Sequence, residues 1–367
     1  MYIHENKAWP EFKWDQAKLA DLFAEVRHRQ GRLLGRMEGL GFQLRGEATL
    51  TTLTQDVIKT TEIEGEKLDP EQVRSSIAKH LGMDGGGSLR IGRNVEGIVE
   101  VMLDATGKFD APLSAERLFA WHAALFPTGR SGMQSIVVGG WRTASSGPMQ
   151  IVSGPLGREK VHYEAPAANR LKKEMAEFIR WFNATPTTDL VVKSALAHFR
   201  FVTIHPFEDG NGRIARALAD MLLARAEKSA QRFYSLSSQI QQERNEYYAV
   251  LEKSQKGALD ITPWIEWYLN CLQHAIAVSE KTLETVLVKA RFWEAHAGQS
   301  FSERQRTVVN RLLDGFDGKL TSSRWAKLTK CSQDTALRDI SDLLERQILA
   351  KDEAGGRSTS YRLRLSK

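Results

Sequence analysis

The chain has 367 residues, 42% hydrophobic and 26% charged, with a formal charge of +6, the balance of an ordinary globular protein with room for two or three domains. Cys271 and Cys331 lie too far apart to build a disulfide framework or a cysteine metal cluster, so a reducing compartment is expected. The opening MYIHENKAWPEFKWD lacks the apolar core of a signal peptide, and no stretch approaches the roughly 18 apolar residues of a membrane span, which leaves a cytoplasmic protein without membrane contact as the expectation.

From Trp14 to about Lys79 apolar residues recur at helical spacing, as at Leu19, Leu22, Phe23, Val26, Leu33 and Leu34. A Gly-rich break, GMDGGGSLRIG, follows; with no strand before it and no Gly-Lys-Ser after it, it reads as a surface loop and not a phosphate loop. NVEGIVEVMLDAT and LSAERLFAWHAAL resume the helical pattern. Between Gly132 and Pro166 the β-favouring runs Ile136–Val138 and Met149–Val152, punctuated by Gly, Ser and Pro, predict a β-hairpin inside a helical domain. Helical spacing returns over Leu171–Phe182 and Leu190–Ile204, and IARALADMLLARA is a strong helix former, so the stretch 204–216 is expected to be a loop joining two helices, the second beginning at about Gly212. A long helix over about Ile261–His296 leads to a segment that reads as three helices and then two strands around Gly355-Gly356, the order of a winged helix-turn-helix. The last fifth of the chain, 301–367, carries 14 Lys+Arg against 9 Asp+Glu, which permits an anionic partner for that segment.

The string IHPFEDGNGRIAR, residues 204–216, concentrates the chemistry. Gly210 and Gly212 around Asn211 allow a concave nest of backbone N–H groups, and the helix starting there adds its positive end, so the site suits phosphate oxygens. Arg213 and Arg216, three apart, can share a helix face and grip more than one phosphate. Asp209 offers the hard oxygen that Mg²⁺ takes beside substrate phosphates. His205, with an ordinary pKa near 6.5, suits the removal of a proton from a hydroxyl at neutral pH. A metal site built on His198 and His205 is disfavoured, because no second carboxylate cluster accompanies the pair.

HPFEDGNGRIAR resembles the signature of Fic proteins, His-Pro-Phe-x-(Asp/Glu)-Gly-Asn-Gly-Arg-x-x-Arg, at every specified position, and the likeness runs from about Trp9 to the C-terminus. The resemblance implies a mainly α fold: a Fic-type helical bundle with a β-hairpin flap, an N-terminal helical domain over 1–90, a catalytic core over 91–298 and a winged helix-turn-helix over 299–367. It implies transfer of AMP from ATP to a Ser, Thr or Tyr hydroxyl of a target protein, or of the chain itself, with pyrophosphate leaving. His205 would take the hydroxyl proton and Asp209 would hold Mg²⁺. Gly210, Asn211 and Gly212 would cradle the phosphates, Arg213 would meet the β- and Arg216 the γ-phosphate, and Phe207 would anchor the loop. The flap edge, Met149, Gln150, Ile151 and Val152, would hold the target by strand addition. Tyr247 and Tyr248 would line the adenine pocket, with Gln255 where relatives often have asparagine. Thr60-x-x-x-Glu64-Gly65 resembles the family's inhibitory motif, by which Glu64 would pair with Arg216 in place of the γ-phosphate; a buried pair of that kind is worth about 3–5 kcal/mol when one partner is removed.

Two alternatives accompany this reading. Some Fic proteins with such a glutamate resemble bifunctional enzymes that also remove AMP, so a hydrolase is one. The other is a DNA-binding regulator, with Arg338 near base edges and Arg357 on phosphate, against which Asp334, Asp339 and Asp342 count; failing DNA, the C-terminal module is expected to dock a partner or form a homodimer.

Overall fold

Helical periodicity between Trp14 and Lys79 resolves into α1 (Gln16–Glu38), α2 (Phe42–Ile63) and α3 (Pro70–His80). The carboxylate of Asp15 caps α1 by accepting from Lys18 N–H, and that of Asp69 caps α3, whose first position is Pro70. The computed structural model describes residues 1–83, 90–154, 158–313, 316, 318–352 and 359–364. Most of the Gly-rich break, the stretch 155–157 within the expected hairpin, and the Gly355-Gly356 turn with Arg357 lie outside them.

Next come α4 (Arg93–Gly107), α5 (Ala115–Leu125), α6 (Leu171–Asn183), α7 (Leu190–Ile204), α8 (Asn211–Glu227), α9 (Leu236–Gln242), α10 (Arg244–Ser254) and α11 (Thr262–Ala295). The fold is mainly α. Residues 191–204 of α7 are buried without a break, as is nearly all of α8 to Ala224, so these two helices form the centre of the bundle. A helix with no solvated face needs apolar or small side chains all round, which Ala195, Phe199, Ala215, Ala219 and Leu222 supply.

The chain divides into two compact units, Met1–Ser279 and Glu280–Lys367. The first takes in both the N-terminal region expected to end at residue 90 and most of the expected core. The reason is packing: Leu50, Leu53 and Val57 of α2 and Val73 and Ile77 of α3 join the same apolar cluster as Phe201, Phe207 and Leu218.

The hairpin region departs from expectation. Its strands are β3 (Gln150–Ser153) and β4 (Lys160–Glu164), antiparallel, with a bulge between Ile151 and Val152. Ile136–Val138 is not one of them. Ile136 and Val138 pack against the core, and the main chain there serves the loop between α7 and α8, Val137 N–H donating to Glu208 Oε2 at 2.9 Å. Just before it a second small hairpin, β1 (Arg130–Ser131) and β2 (Gln134–Ser135), had no β-favouring run to announce it.

The second unit contains α12 (Glu303–Leu313), α13 (Ser322–Thr329), α14 (Gln333–Glu345) and the antiparallel strands β5 (Leu349–Lys351) and β6 (Tyr361–Leu363). Val308, Trp325, Ile340, Leu343 and Tyr361 close its core. On α14 the carboxylate of Asp339 accepts from both Arg304 Nε at 2.8 Å and Arg304 Nη2 at 3.1 Å, and that of Asp342 accepts from Gln305 Nε2 at 2.7 Å and Arg346 Nη1 at 2.9 Å. Two of the acids expected to repel a phosphate backbone are therefore neutralised within the unit.

Candidate active site between α7 and α8

The loop begins where α7 stops. His205 is the C-cap, in the left-handed region at φ 51°, and Pro206 after it cannot continue the helix. Phe207 is fully buried and stacks on His122 of α5, with ring centroids 4.1 Å apart and planes 6° apart. The Asn211 side chain brackets Phe207, its Oδ1 accepting from Phe207 N–H at 3.0 Å and its Nδ2 donating to Phe207 O at 2.9 Å. The amide of Asn211 is thus spent on the shape of the loop.

The other loop residues are held by parts of the chain distant in sequence. His122 Nε2 donates to the main-chain oxygen of Asp209 at 3.2 Å, and burial pushes His122 down to about 4, so the ring is neutral. Ser131 donates to Asp209 Oδ2, while Gly210 N–H donates to Oδ1 at 2.6 Å. Arg142, 4% exposed, donates from Nε to His205 O at 2.8 Å and from its main-chain N–H to Pro206 O at 2.9 Å. His122, Ser131 and Arg142 escaped the sequence reading, because none stands in a motif and each reaches the loop only through the fold.

His205 Nδ1 donates to Val202 O at 3.2 Å; a carbonyl can only accept, so the proton is on Nδ1 and the lone pair on Nε2. Burial is the main cause that lowers His205 to about 4, with Arg142 adding to the shift. The ring is therefore neutral and proton-free at Nε2 across the physiological range.

The start of α8 is closely packed. Gly210 lies at φ 80°, where a Cβ would also meet Phe126 Cε2 at 2.8 Å. A Cβ on Gly212 would sit 2.3 Å from an oxygen of Glu64, so a carboxylate rests directly against the first turn of the helix. Glu64 is the C-cap residue of α2, followed by Gly65 at φ 87°. Its Oε1 accepts from Arg216 Nη2 at 2.6 Å. Arg216, 1% exposed, also donates from Nε to Thr60 Oγ1 at 2.7 Å and from Nη2 to Thr60 O at 2.9 Å. Burial opposes the Arg216 charge, and the nearby Glu64 carboxylate with Tyr247 and Tyr248 outweighs it, raising the pKa. Arg213 is nearly buried too, its guanidinium carbon 5.0 Å from the Phe126 ring centre and its Nη1 3.7 Å from Glu66 Oε2.

Of the expected adenine-side residues, Tyr248 is exposed at 39%, whereas Tyr247 is buried with its hydroxyl on His198 Nε2 at 3.0 Å. Gln255 is buried and its Nε2 donates to Thr203 Oγ1 at 3.2 Å. His198, wholly buried and pushed down to about 3 by that burial, belongs to this packing. Beside the flap a groove of about 450 Å³ is lined by Met149, Gln150, Val152, Arg142, Glu208 and Asp209, so the expected flap edge and the loop face one space. His162 of β4 bonds Glu252 Oε2 at 2.6 Å through Nδ1, pinning the flap to α10. Among the described residues no three His, Cys, Asp or Glu side chains converge to hold a metal ion, and no helix is long and apolar enough to cross a membrane.

Residues 112–223 match the Fic/DOC family, and residues 2–83 match a domain of unknown function, DUF4172. The chain is 35% identical over 142 residues to a protein adenylyltransferase Fic of Drosophila yakuba, covering 37% of this chain and 26% of that protein. The same named protein of Drosophila melanogaster is 34% identical over the same length. The chain thus spans about a quarter of the length of these curated relatives. Two crystal structures share the fold. A Fic family protein from Desulfovibrio desulfuricans has a TM-score of 0.55 at 23% identity, over 95% of this chain and 96% of that one. A Fic domain containing signaling protein from Bacteroides thetaiotaomicron has a TM-score of 0.53 at 18% identity, over 76% of this chain and all of that one. The segment that matches the Fic/DOC family, residues 112–223, contains the loop with His205 and Asp209 and the start of α8 with Arg216.

Proposed function

We propose that the chain is a protein adenylyltransferase, moving AMP from ATP to a hydroxyl side chain of a target protein, and that Glu64 holds it inactive. The observation that carries this reading is the Glu64 carboxylate seated against Gly212 and on Arg216: an anion already occupies the cradle at the head of α8.

In the reaction, His205 Nε2 takes the proton of the target hydroxyl. The hydroxyl oxygen attacks the α-phosphorus, the bond from that phosphorus to the bridging oxygen of the β-phosphate breaks, and pyrophosphate leaves. Its charge is met by Arg213 on the β-phosphate, by Arg216 on the γ-phosphate and by the N–H groups of Asn211 and Gly212. A single carboxylate such as Asp209, with substrate phosphates and water, is the donor set that Mg²⁺ takes, so the residues fit the ion; when bound it neutralises phosphate charge. Tyr248 forms the open side of the adenine site, with Tyr247 and Gln255 behind it. The outer edge of β3 takes a segment of the target as an added strand, from Met149 to Val152. Since Glu64 and the γ-phosphate compete for Arg216, ATP binds the locked form with its α-phosphate out of line. The C-terminal unit serves as a winged-helix module for docking a partner or a second copy.

The test is intact-mass measurement after incubation with Mg-ATP. A gain of one AMP in Glu64→Gly, a smaller gain in the wild type and none in Glu64→Gly/His205→Ala are expected; labelling that survives loss of His205 would end the assignment of the base.

A further inference from the structure

We infer that Arg142 is a positioning residue that holds His205 in its reactive conformation and ties it to the neck of the flap; the inference rests on the adenylyltransferase reading of the site. Three observations lead to it.

His205 lies in the left-handed region at φ 51° and ψ 60°, an uncommon conformation for a residue with a side chain, and its hydrogen-bond partners hold it there. Its N–H is held by Phe201 O at 2.9 Å and its ring by Val202 O, both within α7. The contact that fixes its carbonyl comes from outside the helix, from Arg142 Nε at 2.8 Å.

The partners of Arg142 mark a junction. Its Nη2 donates to Pro166 O and its main-chain N–H to Pro206 O, while Nε serves His205 O. Residue 142 is where the chain enters the flap and residue 166 is where it leaves, with β3 and β4 between them. One guanidinium therefore fastens both ends of the flap to the residue that carries the base. The flap is fixed to the same end of α7 by Tyr163 of β4, whose hydroxyl donates to Thr203 O at 2.8 Å.

The charge is in a place that suits it. Arg142 is 4% exposed, and the oxygens it meets are carbonyls, one of them at the C-terminal end of α7, where a cation is favoured. A planar fork can reach two carbonyls in different directions at once; a lysine ammonium brings a single point of charge. Without the fork, the carbonyl of His205 is free to turn, Nε2 moves off the line to the target oxygen, and the nucleotide cradle at Gly210–Arg216 stays as it is.

The experiment uses the full chain with Glu64→Gly as parent. It compares Arg142→Met and Arg142→Lys for the rate of self-adenylylation at saturating Mg-ATP, the Kd of a non-hydrolysable ATP analogue, and the tautomer of His205 by ¹⁵N NMR of the ring. A misplacement of the base by about 1 Å predicts a rate loss of about 100-fold for Met and about tenfold for Lys, with Kd unchanged within about twofold. The Nδ1–H signal of His205 should weaken in the Met variant, and methylguanidinium should restore rate to Arg142→Gly. A rate in Arg142→Met within about threefold of the parent would overturn the proposal, as would a joint collapse of rate, affinity and the cooperative melting transition, which would make Arg142 a strut of the core. If the parent itself never labels, the enzymatic reading fails, and the His205 ring signal alone then decides whether Arg142 positions it.

Discussion

Replacing Glu64 by glycine removes one charge-assisted hydrogen bond, Oε1 to Arg216 Nη2 at 2.6 Å, and empties the space against Gly212. For a pair buried on both sides the cost of breaking it would be about 3–5 kcal/mol. Here Arg216 is buried but the Glu64 side chain is 27% exposed, which places the interaction nearer the charge-assisted range of about 1.5–3 kcal/mol. About 2 kcal/mol corresponds to about 30-fold in the population of the open site, and so in the rate of AMP transfer. The substitution does not strand the guanidinium, since Thr60 Oγ1 and Thr60 O still accept from Arg216. Stability should therefore fall by no more than that same ~2 kcal/mol while activity rises, a combination that general loosening of the fold would not give. Time courses of intact mass with Mg-ATP, beside melting curves, measure both. A labelling rate in Glu64→Gly within about threefold of the wild type, with the protein folded, would refute the reasoning.

The pH dependence follows from the lowered His205: above about 4 the ring is neutral and competent, and below it the ring is protonated and cannot accept. The acid limb of kcat/KM in Glu64→Gly should thus fall near pH 4 and the profile should be flat through pH 6.5; a limb at 6.5 would contradict the geometry. Asn211→Ala forfeits both bonds to the Phe207 backbone inside the core. It should cost about 2 kcal/mol, read as a fall of several degrees in Tm, with Asn211→Asp in between. Thr60→Val leaves Arg216 Nε buried without its acceptor. Its effect in the Glu64→Gly background should be opposite to the release of the lock: weaker ATP binding by about tenfold, measured by titration.

What could be read in the sequence follows from how local each signal is. The bounds of α7 were legible because its apolar run breaks at His205-Pro206, and the proposed cradle could be named because Gly210, Gly212, Arg213 and Arg216 lie close together in sequence. Asn211 shows the limit of that reading: residue type and place suggested a phosphate contact, whereas its amide closes the loop on Phe207. Ile136–Val138 has strand composition, yet burial of Ile136 and Val138 and the bond from Val137 N–H to Glu208 outweigh that propensity. The real partner of β3, Lys160–Glu164, mixes Lys, His and Glu with Val and Tyr and carries a weaker signal. His122, Ser131 and Arg142 lie 63 to 87 residues from the atoms they hold, a distance that no motif spans.

The proposed lock calls for a glutamate, and not merely a bulky side chain, for a reason that lies in the chemistry of the cradle. The head of α8 and Arg216 supply only donors, so the occupant must be acceptor-only and negatively charged. A carboxylate meets both conditions; an amide brings two donors of its own and no charge. Glu64→Gln would keep the volume against Gly212 and an acceptor for Arg216 Nη2 while removing the charge. Blocking by bulk alone would leave that variant as silent as the wild type, whereas blocking by charge requires it to behave nearly as Glu64→Gly. On the proposed reading the lock would be reversible, because a triphosphate offers more acceptor oxygens and more charge than one carboxylate.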